Sequence, residues 1–442
     1  MNTLGNDPSA ASESYFAARG AESSAKTPEE HRVHHRRAAW HFAAQVEAAL
    51  SQKALAELEA WKDVKVSALG ETLPVREALV RARSEASKDG RAAWALRCDQ
   101  AYPEAQGPLL RRFDAARATC EALHFSSVPA LLDATGPTPW AHAKAAGTAL
   151  LRETRDAFVD VLTFALKRTR VGVSLREAKE VDVAFAASAP GLSEALSGAE
   201  LPSLTGQIFR DAGLSGDEVG RSGFDWKRSA PGAGLDVYEA WLSRLGGAWA
   251  TMVRSDAAPW SVARVVHPVT HSADALLFEN LLLSEAWLKK SAGLSLPKAR
   301  ELARLVALRR LASLRQAAAT LSWFDDFFEK GPSPHVRESS TQAKAQALGV
   351  NVSGADFLLP LEGPRVPSLT LLDAATWECA RNHTLVQRFE VDFFRNPAAF
   401  ADLKAQRALG DDIAKTETAR DAGAMTEALL AAGRRLVSVL GA

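Results

Sequence analysis

The stretch Tyr238–Met252 reads YEAWLSRLGGAWATM, and the apolar run Val269–Leu288 that follows it reads VTHSADALLFENLLLSEAWL. Tyr238, Trp241, Leu242, Leu245, Trp249 and Met252 recur at helical spacing, which predicts a helix with one core-facing side. At about 100° per residue, Ser243 and Gly247 fall on the opposite side. Gly246 and Gly247 are adjacent in the helix interior, where each glycine costs about 1 kcal/mol relative to alanine. Propensity does not account for them. Close approach of another backbone or of a ligand would.

The sequence around this helix is also helical in texture. Residues 1–27 are small, polar and aperiodic, and read as a flexible leader. An N-terminal helical region, 28–139, follows, with breaks expected near Asp89-Gly90 and Tyr102-Pro103. The Pro- and Gly-rich stretch Ser126–Pro139 separates it from a second helical region, 140–442. Ser203–Gly234 is rich in glycine and serine and reads as a loop feeding the central helix. Long helices are expected over 235–330, one of them opening at Pro297 and carrying Leu302, Leu305, Leu308, Leu311 and Leu314. Strand texture is scarce, with Arg170–Val173 and Val350–Val352 the best short candidates. The expected class is mainly α, a large multi-helix body with little strand.

Composition narrows the function. The 442 residues carry 53 Lys+Arg against 53 Asp+Glu, a balance that suggests neither a nucleic-acid nor a membrane-surface partner. No apolar run reaches the roughly 18 residues of a membrane span. The first residues show no basic segment leading into an apolar one, so a cytoplasmic location is the default expectation. Cys98, Cys120 and Cys379 lie outside any CxxC and read as free thiols.

The segment AWLSRLGGAW is similar to the active helix of the thimet oligopeptidase and oligoendopeptidase F-like zinc metallopeptidases, which carries HExxH. Matched by position, Ser243 stands at the first histidine, Arg244 at the catalytic glutamate and Gly247 at the second histidine. In this alignment Ser272, 25 residues after Gly247, stands at the third ligand, a glutamate in the family. Further likeness runs through residues 151–185, 308–328 and 389–410, so the resemblance covers about 150–442. It implies a helical bowl whose former active-site helices are 235–252 and 270–289. A zinc hydrolase needs three protein ligands and a carboxylate base. Serine and glycine supply neither an imidazole nor a carboxylate, and an arginine stays cationic at neutral pH. The family's transition-state tyrosine lies in the C-terminal third, and this chain has no tyrosine after Tyr238. The expectation is therefore a catalytically inactive, peptidase-like protein without a cofactor, binding a peptide or a partner protein.

Rival sites weigh less. His267 and His271 are four apart, and with Glu279 they could form a relocated zinc site; Pro268 between them argues for two helix-entry histidines instead. Glu279 lies in an apolar run and is expected to pair with an arginine such as Arg315. Asp325-Asp326 reads as a solvated helix end, and Cys379 with His383 as core packing. The cluster His31, His34, His35 and His41 is interleaved with arginines and reads as a basic helix face. A structural or regulatory subunit acting through its surface is the remaining alternative.

Overall fold

A computed structural model describes residues 8–27, 30, 31, 34, 38, 52–122, 124–135, 138–169, 171–227, 232–253, 268–358, 366–408 and 422–441. The protein is mainly helical, and the strands among these residues form one short hairpin. The organising element is a 35-residue helix, Leu296–Lys330. Pro297 sits in its first turn, where the missing N–H costs nothing, and Gly331 ends it at a φ of 68°. Leu302, Leu308, Leu311 and Leu314 are buried along it, together with seven alanines from Ala299 to Ala319 that let neighbours come close. Helices Trp140–Glu153, Pro334–Leu348, Pro367–Phe389 and Ala422–Gly441 pack around it. At the closest approach, a Cβ built on Gly147 would stand 3.1 Å from that of Ala318.

Two buried arginines lock this arrangement. Arg315, 2% exposed, donates to the carbonyls of Ala347 (2.7 Å) and Leu151 (2.8 Å) and to Thr154 Oγ1 (2.6 Å), and stacks on Phe158. It thus donates to carbonyls in the C-terminal turns of two other helices, where the last carbonyls find no N–H donor within their own helix. Arg91, fully buried, donates to Asp182 (2.8 Å) and to the carbonyls of Glu85, Ala86 and Val171. One hydrophobic cluster runs from Trp61 to Leu440. It crosses position 139 without interruption: Phe113 meets Phe327 at 4.5 Å, and Trp140 meets Phe324 and Phe328 edge-on.

Several local expectations change. Pro8–Ser23, read as a flexible leader, is helical. The break at Tyr102-Pro103 does not occur: helix Lys88–Ala122 passes through Pro103 and Pro108. Each proline removes one backbone bond from a long ladder, and the helix is held on both sides by Trp94, Leu109 and Phe113 in the core and by the Trp61 indole on the Ala101 carbonyl. The glycine-rich loop at 203–234 contains helix Leu201–Asp211, opened by Pro202, and a short turn at Gly216–Gly220 with a Ser215–Glu218 capping box. Neither strand candidate forms a strand: Val171 lies in irregular chain, and Asn351 makes a single bridge to Lys179. The hairpin is instead Lys65–Ala68 with Glu71–Pro74, turned by Leu69 and Gly70, both at positive φ.

Candidate functional site

The central helix spans Leu235–Met252, and the facing helix spans Pro268–Glu279. Tyr238, Trp241, Leu242, Leu245, Trp249 and Met252 are all buried, as the periodicity predicts. Trp241 donates its indole N–H to Thr205 Oγ1 (2.8 Å), and the Tyr238 hydroxyl donates to the Ser197 carbonyl (3.2 Å). Burial pushes the Tyr238 phenol up to about 12, so it is held as a structural donor and not as an acid for neutral pH.

The two glycines mark the crossing of these helices. A Cβ on Gly246 would run into the Asp274 carbonyl and stand 2.7 Å from the Ala275 Cα. A Cβ on Gly247 would meet the His271 ring, with Cε1 at 2.5 Å and Nε2 at 2.7 Å. Gly246 is therefore required by the facing backbone, and Gly247 lies beneath an imidazole delivered from the other helix. Trp249 and Phe278 continue the contact at 5.5 Å. Ser243 is half-buried and Arg244 exposed, on the same solvent side as Ala240. On the facing helix, His271, Asp274, Ala275 and Phe278 share the side that meets the central helix. Ser272 is rotated about 100° from His271, so the structure sets the histidine rather than the serine against Gly247.

These residues do not fit a zinc ion. Ser243, Gly247 and Ser272 present no imidazole or carboxylate, and Arg244 adds a permanent positive charge. No HExxH occurs anywhere in the chain. Among the described residues, no group of three or more His, Cys, Asp or Glu is placed to hold a metal. The relocated set fares no better. His267 lies outside the described residues, and His271 and Glu279 are separated by eight residues of helix, roughly 12 Å along the axis at 1.5 Å each. Glu279 is committed to an ion pair with Arg310. Arg310 also reaches Glu239, 3.3 Å away on the central helix, and Arg309 meets Glu239 at 3.0 Å. The Glu279 partner is thus Arg310 and not Arg315, which the carbonyls described above already occupy. Burial holds the Glu239 carboxyl above its ordinary range, against the pull of Arg310 and Arg309.

The other candidates resolve into structural roles. Asp325 accepts from the Trp140 indole (2.6 Å) and pairs with Lys144; Asp326 pairs with Lys330 at 2.6 Å. Each acid has its own lysine, and the two do not act as a dyad. His383 is exposed, while Cys379 lies beside the Glu378–Arg435 pair. Burial pushes the Cys98 and Cys120 thiols up to about 11. His31 lies 3.4 Å from Glu22; His35 and His41 lie outside the described residues. Sequence reading missed the His271–Gly247 contact and the Asp274–Arg381 pair (2.6 Å), which ties the facing helix to Pro367–Phe389. The double glycine was the available signal for the first; nothing in the sequence singled out Arg381.

No family model matches the chain, and no curated protein matches it in sequence. Its solved structural relatives define the class: the chain has the fold of the oligoendopeptidase F-type peptidases. PZ peptidase A, solved with an inhibitor, superposes with a TM-score of 0.60 at 11% identity, over 98% of this chain and 85% of that one. A structure from Bacillus anthracis str. Ames assigned to oligoendopeptidase F gives 0.59 at 13% identity, over 98% and 84%. Oligoendopeptidase-F from Enterococcus faecium gives 0.51 at 12% identity, over 90% and 73%. At such identities the likeness establishes the fold and leaves the chemistry to the residues in place.

Proposed function

We propose that this chain is a non-hydrolytic protein on an oligoendopeptidase F-type scaffold, binding a peptide or an extended segment of a partner protein against the solvent side of its central helix. The observation that carries this reading is the crossing at Gly247. In this arrangement His271 occupies the volume into which a side chain at 247 would project, and the glycine itself offers no metal-binding group. The neighbouring positions carry a hydroxyl and a guanidinium, groups suited to hydrogen bonding a ligand and unsuited to activating water on a metal. Small side chains at the exposed Ala240 and the half-buried Ser243 leave this part of the helix surface open to an approaching main chain.

The test combines metal analysis of the purified protein with a quenched-fluorescence peptide library. Peptides are expected to bind and to be recovered intact, with metal far below one equivalent. Stoichiometric zinc together with chelator-sensitive cleavage overturns the proposal.

A further inference from the structure

Arg244 differs from Arg309, Arg310 and Arg381, which are all committed to carboxylates. Arg309 pairs with Asp236 and Glu239, Arg310 with Glu239 and Glu279, and Arg381 with Asp274. Arg244 is exposed and has no carboxylate partner among the described residues. Its Nε donates to the Ala240 carbonyl, 3.3 Å away and one turn back along the same helix. Its guanidinium carbon lies 5.4 Å from the Trp241 ring centroid and 6.0 Å from that of Phe224. The two rings meet edge-on at 5.3 Å, and the bond from Trp241 to Thr205 fixes the indole beneath them. Stacking on an aromatic face consumes no donor. Of the five N–H groups of a guanidinium, one is used, and the four on the terminal nitrogens have no hydrogen-bond partner among the described residues. The result is a cation pre-positioned at the Nε end, with its fork beside the small residues Ala240 and Ser243.

We propose that Arg244 anchors a carboxylate of the bound peptide, so that the ligands of this site are peptides bearing an acidic side chain or a free C-terminus. The inference rests on the peptide-binding reading above and narrows it to a substrate class. The fork of a guanidinium matches a carboxylate with two parallel N–H···O bonds, the strongest recognition this side chain offers. Pre-organisation by Trp241 and Phe224 reduces the side-chain entropy lost on binding. The guanidinium is a permanent cation, and its site selects for an anion.

The test uses the full chain and four fluorescein-labelled octapeptide pools. The pools contain either Asp and Glu or Asn and Gln, each with a free or an amidated C-terminus. Binding is followed by fluorescence anisotropy at low and high salt. Wild-type protein is expected to bind carboxylate-bearing pools about tenfold more tightly than the pool with none, in line with a charge-assisted bond. Arg244→Ala is expected to abolish that preference, Arg244→Lys to retain part of it, and Arg300→Ala, remote from the site and paired with Glu285, to leave it unchanged. Loss on amidation assigns the terminal carboxylate, and loss on the Asn/Gln exchange assigns the side chain; either result supports the proposal. Unchanged thermal unfolding shows that the variants remain folded. Equal binding of all pools, or undiminished preference in Arg244→Ala, overturns the anchor while leaving peptide binding intact. Absence of binding by every pool overturns both readings.

Discussion

At the residue scale, the two glycines of the central helix have different neighbours and so different tolerances. Gly246 faces main-chain atoms of Asp274 and Ala275, which move only if the two helices separate. Gly247 faces the far end of an exposed histidine, which can rotate away. Gly246→Ala is therefore expected to lower stability by about 1–3 kcal/mol despite alanine's better helix propensity. Gly247→Ala is expected to stay within about 1 kcal/mol of wild type, because the gain in propensity offsets the displacement of His271. Urea unfolding of the two variants side by side checks this. Equal losses would mean that the His271 ring is held as firmly as the facing backbone.

At the element scale, the central, facing and long helices are joined by one buried ionic group. Arg310 on the long helix reaches Glu239 on the central helix and Glu279 on the facing helix, all well removed from solvent. Removing the shared cation leaves the buried Glu279 without compensation and Glu239 with Arg309 alone, a loss of about 3–5 kcal/mol for a group of this kind. Arg310→Met is expected to show a loss of that size at neutral pH. The pH dependence follows from Glu239. Its folded-state carboxyl is already raised by burial, and losing Arg310 raises it further. A carboxyl with a raised folded pKa binds more protons in the folded state, so stability falls as pH rises through that range. The deficit of the variant should thus narrow as the pH is lowered, and adding Glu239→Gln should recover part of it at neutral pH. Denaturant titrations at several pH values read both effects.

At the scale of the whole molecule, the N-terminal helices and the peptidase-like helices share a core. Phe113 from the first region lies between Phe327 and Phe328 of the long helix, and Arg91 ties residues 85–91 to Asp182 and Val171. A fragment comprising 140–442 would expose this aromatic face and strip Asp182 of its buried partner. Such a fragment is expected to bind a hydrophobic dye and to aggregate, and to lack the cooperative unfolding transition of the full chain. A soluble fragment with a sharp transition would show that the two regions fold independently. No helix among the described residues is long and apolar enough to cross a membrane.

The sequence by itself determined the helical class, the buried face of Tyr238–Met252, and the residue types at 243, 244, 247 and 272. Those readings depend on periodicity and on side-chain chemistry, and both are local. It also determined that the paired glycines required a close neighbour, because no local preference accounts for them. Only the tertiary structure decided what that neighbour is, since the contacts of Gly246 and Gly247 come from 24 to 29 residues further along the chain. The partner of Glu279 was open for the same reason: Arg310 and Arg315 lie on one long helix, and its orientation in the core selects between them. Helix Lys88–Ala122 runs through two prolines because packing on both sides outweighs the local signal to stop. The exposed Arg244 became visible as a candidate anchor only once the carboxylate partners of Arg309, Arg310 and Arg381 were known. A charge has a partner, or lacks one, by position in space and not by position in sequence.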